Sequence, residues 1–266
     1  MNRHPVLFRF GVRLVGYPVN AVARGIVFIA AVVSFPLLAL LPHGAAYADA
    51  SAYQKTRPSA DGIGKTYMGR EIAGVMGWQA AAWLERPERT REERPDLLLA
   101  ELKLKPGMVV ADIGAGSGYH TRRMAEVVGK TGTVYAVDVQ PQMVQLISAF
   151  AREERFSNVK PILSTVDDVK LPLASVDLAI MVDVYHELEF PFEVMRTIIR
   201  SLKPGGRVAF VEYRAEDANV PIKALHKMSE AQIRREAAAH ALHELEWERT
   251  SNVLPWQHIV FFKKKG

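Results

Sequence analysis

Cysteine is absent from all 266 residues, which removes disulfide frameworks, thiolate metal sites and cysteine nucleophiles together and leaves the redox compartment open. Acidic residues are absent from the first 48, where Arg3, Arg9, Arg13 and Arg24 are the only charged side chains at neutral pH. Collagenous and low-complexity patterns are missing too. The 18 glycines and 15 prolines are near ordinary usage, and 49% apolar with 24% charged residues describes a globular chain. A concentrated basic face is also lacking: of 34 basic and 29 acidic residues, four basic ones sit in 1–48, so the remainder carries 30 against 29. The one dense basic run is Lys263, Lys264 and Lys265, which reads as a solvated tail. No nucleic-acid partner is expected, because phosphate binding needs a concentrated positive surface.

What the leader does have is an uncharged run. Residues 25–41 (GIVFIAAVVSFPLLALL) carry no charge over 17 positions, and all four arginines precede them. As a helix they would reach ~25 Å, short of the ~30 Å hydrocarbon core but extendable through the flanks. Ala46, Tyr47 and Ala48, after Pro42 and Gly44, have the small-x-small spacing of a signal cleavage site. The length of the run and the basic leader, with apolar residues between its arginines, suit instead a retained anchor lying partly on a membrane surface. Both outcomes stay open. In either, the arginine excess keeps the N-terminus cytoplasmic and puts the body in the periplasm. Residues 1–48 are therefore a basic leader with a hydrophobic signal or anchor helix, and the membrane is a partner.

Residues 49–66 are polar, contain Gly and Pro, and show no periodicity, so they read as a linker. Residues 67–105 read as a helical cap. From 106 to 266 apolar β-rich runs alternate with helical patterns: MVVADI, TVYAVDV, VKPIL, VDLAIMVDV, RVAFVEY and HIVFF, with helices expected up to Gly129, from Pro141 to Glu154 and from Pro191 to Leu202. Such alternation implies an α/β fold with a parallel sheet covered on both faces. Pro141 suits a first helical turn, Gly129 a C-cap, and Ser229 with Gln232 a capping box.

In such sheets ligands bind beyond the C-terminal strand ends. The first strand of the alternation ends in Asp112, Ile113, Gly114, Ala115, Gly116, Ser117 and Gly118. The spacing is GxGxG with an acid two residues earlier; a dinucleotide fingerprint would want a glycine where Tyr119 stands. A nearby carboxylate repels pyrophosphate and attracts a cation. Asp138 ends the second strand, 20 residues beyond Gly118, where a carboxylate accepts hydrogen bonds from paired ribose hydroxyls or, alternatively, caps the next helix.

With VVADIGAGSG, AVDV, the Asp167–Asp168 pair before LPL, VDLAIMVDVYHEL and LKPGGRVAFVEY in hand, the sequence resembles the class I S-adenosylmethionine-dependent methyltransferases over residues 95–262. The resemblance implies a Rossmann-like three-layer sandwich whose seven-stranded, mostly parallel sheet ends in an antiparallel strand, here HIVFF. It implies S-adenosyl-L-methionine as cofactor, with Asp112, Gly114, Ala115, Gly116 and Gly118 at the methionine end, Asp138 and Val139 at the nucleoside, and Asp167 or Asp168 at the adenine amine. The glycine usual before that last acid is absent. Asp183, Val184, Tyr185 and His186 match the loop beside the transferable methyl. Asp183, Tyr185 and His186 are thus the catalytic candidates, and Asp183 also touches cofactor.

His186 is the first candidate base, since histidine titrates near neutrality; a histidine hydrogen-bonded to hold the loop is the competing reading. Tyr213, Arg214, His226 and His258 are secondary candidates, and Trp256 with Gln257 either closes the pocket or packs. Met76, Trp78 and Trp83 either roof a hydrophobic acceptor or pack on the sheet. Residues 86–94 and the pair His240 and His243 read as solvated faces. With no HExxH and no clustered ligand set, no metal is expected. Three functions compete: methyl transfer to a small or lipophilic acceptor, a non-catalytic accessory subunit of a membrane protein complex, and a pocket turned to another nucleoside or a quinone. Export and cofactor supply conflict, because the cofactor is made in the cytoplasm.

Overall fold

Tyr53, Tyr67 and Ile72 are apolar anchors in an otherwise polar stretch, and they bring its strands together. In the computed structural model, which describes residues 53–240 and 245–266, β1 (Tyr53–Lys55), β2 (Gly62–Tyr67) and β3 (Arg70–Ala73) form a three-stranded antiparallel sheet. The linker expected at 49–66 is thus corrected from residue 53 onward, and the cap is not wholly helical. Sequence periodicity failed here because β2 is bulged between Gly62 and Thr66, with Gly64 at φ +69°, so no clean alternation survives. Tyr67 and Ile72 pack with Phe192. A 3-10 turn (Trp78–Ala80), α1 (Ala81–Leu84), α2 (Arg89–Glu93) and α3 (Pro95–Leu102) follow. The leader, its signal-or-anchor segment and His243 lie outside the described residues. Among those residues, no helix is long and apolar enough to cross a membrane.

Runs buried on both faces must be nearly all apolar, and the body supplies them. β4 (Val109–Ile113), β5 (Thr133–Asp138), β6 (Val159–Leu163), β7 (Val176–Val182), β8 (Leu202–Tyr213), β9 (Leu245–Ser251) and β10 (Gln257–Lys264) form one sheet in the order β6-β5-β4-β7-β8-β10-β9. Neighbours from β6 to β8 are parallel, while β10 runs antiparallel to both β8 and β9. The expected seven strands and the antiparallel HIVFF strand are both present.

Period-two alternation sends each strand's side chains to two cores. Ala111, Met181 and Phe210 face α6 (Pro191–Ser201) and α7 (Glu230–Ala238), which contribute Met195, Ile198 and Ile233. Val110, Ile180 and Val211 face α3, α4 (Tyr119–Val128) and α5 (Pro141–Glu153), which contribute Leu98, Met124 and Ile147. Local signals hold where expected: proline opens α5, Gly129 caps α4, and the Ser229 side chain accepts from the Gln232 amide at 3.1 Å.

The small sheet is fastened to the large domain by charge. Arg70 donates from Nε and Nη2 to the two carboxylate oxygens of Glu236 at 2.9 and 3.0 Å, and from Nη1 to the His186 carbonyl at 3.0 Å. Glu236 is fully buried. Arg70→Ala strands that carboxylate and should lower folding stability by about 3–5 kcal/mol, read as a fall in the urea midpoint; an unchanged midpoint would contradict the role assigned to the pair.

Candidate functional site

The turn between β4 and α4 lies at the C-terminal edge of the parallel sheet, where the connections of β4 and β7 depart to opposite faces. Gly114 (φ +68°) and Gly118 (φ +86°) hold left-handed conformations that side chains resist. A Cβ at 114 would lie 2.5 Å from Val184 Cγ2, and one at 118 would lie 2.2 Å from Phe150 Cε1. The turn therefore runs against the floor of a cavity of about 480 Å³, within the usual range for cofactor sites.

Two buried acids, Asp112 and Asp138, and the partly buried Asp183 face that cavity. Asp112 Oδ2 accepts from Thr121 Oγ1 at 2.5 Å, and burial raises its pKa to about 7 although Thr121 and Arg89 oppose the rise. Asp138 accepts from the Gly116 amide through Oδ2 at 2.9 Å and from the Gln140 amide through Oδ1 at 2.8 Å; burial still lifts its pKa. Asp183 accepts from Gln257 Nε2 at 2.8 Å, while its Oδ1 has no hydrogen-bond partner. Burial, then the charges of Glu93 and Glu212, push its pKa well up. Asp183 also sits at φ +54°, a strain of order 1–3 kcal/mol for a non-glycine. Arg89, whose charge opposes the rise at Asp112 and Asp183, is itself committed to Glu93 at 2.7 Å.

Past Asp183 the chain makes a 3-10 turn (Tyr185–Glu187), which sends successive side chains in different directions. His186 faces the cavity. Its Nδ1 lies 2.6 Å from Glu212 Oε2 and its Nε2 lies 3.1 Å from His226 Nδ1, while Glu212 Oε1 accepts from the Tyr185 amide at 2.8 Å. Burial disfavours the imidazolium, but the adjacent Glu212 outweighs it and holds the His186 pKa above its ordinary value. Glu187 Oε1 stands 3.8 Å from His186 Nε2 and 3.5 Å from His226 Nδ1.

Of the sequence-predicted residues, Asp112, Gly114, Ala115, Gly116, Asp138, Val139, Asp183 and His186 line this one cavity. Gly118 lies behind it as the N-cap of α4. Tyr185 does not line it: the ring packs edge-on against Phe210 at 4.8 Å in the core, and its hydroxyl is drawn toward Glu236. Asp167 and Asp168 do not line it either, because Asp167 accepts from Thr165 Oγ1 at 2.7 Å and Asp168 from the Lys170 amide at 2.8 Å; Thr165 and Val166 form that wall instead. Residues 86–94 are not simply a solvated face, since Arg89 and Glu93 are buried and Arg89 reaches the cavity. His240 is buried and stacks on Phe192 at 4.6 Å, against the expectation of solvation. Met76 and Trp83 line the mouth, whereas Trp78 lies beside it, its amide donating to Gln140. Tyr213 lines the cavity; Arg214 is spent on the carbonyls of Leu254, Pro255 and Gln257, and His258 is buried on β10. Glu187, Glu212 and Thr121 were missed. An acid inside the apolar run VAFVEY was the readable signal for Glu212.

Comparison with known proteins agrees with this geometry. The family model of the methyltransferase domain matches residues 104–258. The protein-L-isoaspartate O-methyltransferase of Methanococcus aeolicus is 32% identical over 107 residues, 40% of this chain and 47% of that protein. The ubiquinone/menaquinone biosynthesis C-methyltransferase UbiE of Ectopseudomonas mendocina is 27% identical over 111 residues, 41% of this chain and 43% of that protein. The chain thus spans less than half the length of these curated relatives. Among solved structures, a SAM-dependent methyltransferase from Aquifex aeolicus superposes with a TM-score of 0.65 at 25% identity, covering 71% of this chain and all of the other.

A carboxylate held protonated by burial destabilises the fold whenever pH forces it to ionise. Asp112 therefore contributes its full stability at low pH and loses it as pH rises from its unfolded value through about 7. Asp112→Asn should raise stability by about 1–4 kcal/mol above pH 7 and by little at pH 4, read from thermal melts at the two pH values. Equal gains at both would place the effect elsewhere.

Proposed function

The chain belongs to the methyltransferase-domain family, whose cofactor is S-adenosyl-L-methionine, and from that membership we propose that it methylates a small, lipophilic acceptor entering over Met76 and Trp83. The observation that carries this reading is the convergence of Asp112, Asp138 and Asp183 on one open cavity. When bound, the cofactor supplies an electrophilic methyl group on a sulfonium cation. The chain's part is to bind, orient and keep the site dry. At Gly114 and Gly116 a Cβ would meet Val184 and Leu84, so the turn must keep its backbone bare where it lines the cavity. Asp138 keeps unused lone pairs for paired hydroxyls beyond the two amides it already accepts. A positive centre bound beside Asp112 and Asp183 would favour their ionised form and so gain countercharge in a low-dielectric wall, where such attraction is strong.

Val75, Trp83, Val139 and Val166 are exposed large apolar residues around the mouth, which favours a lipophilic acceptor over a charged one. The relative named for ubiquinone/menaquinone biosynthesis is in keeping with that class. Alignment and water exclusion supply most of what an in-line displacement asks of a protein. Where the acceptor must lose a proton, His186 is placed to take it at Nε2, because Nδ1–H is directed to Glu212. The same proposal puts the reaction in the periplasm, anchored or exported through residues 25–41, on the strength of the arginine asymmetry around that run.

Calorimetric titration of the full chain with S-adenosyl-L-methionine should give one site per chain in the micromolar range, lost in Asp138→Ala. Affinity should fall as pH drops below about 7, up to roughly tenfold per pH unit, because protonated Asp112 offers no countercharge. Absence of binding at any pH, together with stable co-purification with membrane proteins, would replace catalysis by an accessory role. Fractionation of the producing cells should find the chain in the periplasm or inner membrane, and recovery in the cytosol would sink the location.

A further inference from the structure

His186, Glu187 and His226 bring three ligand-type atoms to one place in the cavity wall, and only one of the three edges is of hydrogen-bond length. His186 Nε2 and His226 Nδ1 are 3.1 Å apart, but Glu187 Oε1 stands 3.8 and 3.5 Å from them. Around a single ion bound at about 2.0–2.1 Å, neighbouring tetrahedral ligand atoms lie about 3.4 Å apart, and the three edges bracket that value. All three residues line the cavity, so a fourth coordination position would open toward its interior.

The surroundings fix the first of these ligands. Glu212 Oε2 takes the Nδ1–H of His186 at 2.6 Å, which leaves Nε2 with its lone pair turned to the cluster. Glu212 is held in turn by the Tyr185 amide at 2.8 Å, and Arg70 holds the His186 carbonyl at 3.0 Å. Carboxylate, imidazole and an open position in line are the pattern by which proteins orient a metal-binding histidine. His226 comes from a separate 3-10 turn (Ala224–His226) and is partly exposed, which gives an ion a way in. With two imidazoles, one carboxylate and no thiolate, the donor set suits a first-row divalent transition ion rather than calcium or magnesium.

We propose that His186 Nε2, His226 Nδ1 and Glu187 Oε1 bind one divalent transition-metal ion of the zinc, cobalt or iron(II) type, with Glu212 as the positioning residue behind His186. The ion borders the space where an acceptor would sit, so an oxygen or nitrogen donor group on that acceptor would complete its coordination, with His186 Nε2 then serving as ligand in place of base. That use of the ion rests on the methyl-transfer reading; the binding of the ion does not.

The test uses the full chain, stripped with chelator and then titrated with Zn(II) by calorimetry and with Co(II) by visible absorption. One equivalent should bind at micromolar affinity or tighter, and Co(II) should develop the visible bands of a four- or five-coordinate site. His226→Ala and Glu187→Gln should each abolish those bands, while Glu212→Gln keeps the ligand set and weakens Zn(II) about 10–100-fold. His226 is partly exposed, so its removal should leave the melting curve and cofactor titration near wild type and separate ligand loss from misfolding. Substoichiometric binding, or Co(II) bands unchanged in both ligand variants, overturns the site. Metal binding without S-adenosyl-L-methionine binding overturns the proposed function and leaves the site standing; cofactor binding without metal does the reverse.

Discussion

The structure turns on acids taken out of water at the ends of parallel strands. Asp112 and Asp138 belong to neighbouring β4 and β5 and point to the same side of the sheet as α4. An isolated buried carboxylate costs several kcal/mol, and the two meet that cost differently. Asp138 receives two backbone amides, from Gly116 and Gln140, while Asp112 has one hydroxyl from Thr121. The difference explains why the pKa of Asp112 climbs to about 7 despite the opposing pull of Arg89. Asp138 also does structural work: accepting from Gly116, it ties the left-handed turn to the end of β5, so the cradle and its acid cannot move independently.

The cost is sustained by the rest of the domain. Each parallel strand buries side chains on both faces, against α6 and α7 on one side and α3, α4 and α5 on the other. The sheet is therefore a rigid frame, and the glycine turn, the left-handed Asp183 and the short turn that follows it are carried at its C-terminal edge. That turn splits two adjacent residues between two roles. Tyr185 enters the core against Phe210, and His186 enters the cavity against Glu212. The core aromatic anchors the loop, and Arg70 at the His186 carbonyl and Glu212 at its Nδ1 hold the neighbouring imidazole in place.

Much of this was legible in the residues. Six strands and their alternation with helices follow from apolar runs of strand length with helical patterns between; the seventh strand and the antiparallel direction of HIVFF were implied by the family resemblance, and the GxGxG turn with Asp112 and Asp138 announces the ligand edge by spacing alone. What failed was contact across long sequence distance. Arg89 and Glu93 look solvated in a run of mixed charge, yet an i,i+4 ion pair can be buried whole when Tyr119 and Tyr213 cover it. Tyr185 could not be told from His186, because a one-residue difference in a 3-10 turn decides which side of the chain faces the cavity. The strands β1–β3 were hidden by a bulge and by sequence too short to show a period.

The polar side of the cavity shows the same limit in its sharpest form. Glu212 reaches His186 only because β7 and β8 pair in parallel, so residues 26 apart in sequence end at the same edge. On β10, antiparallel to β8 and paired at Gln257 with Tyr213, Gln257 is carried to Asp183, 74 residues away. His226 arrives from a turn between β8 and α7, with no motif to mark it. Each contact depends on register, and register in this sheet is set by the apolar faces rather than by the polar residues themselves. A one-residue slip of β8 would turn Glu212 to the opposite face and put Val211 or Tyr213 behind His186. Core packing is thus what specifies the site's chemistry, and the acid in VAFVEY is tolerated inside an apolar strand because register delivers it to an imidazole.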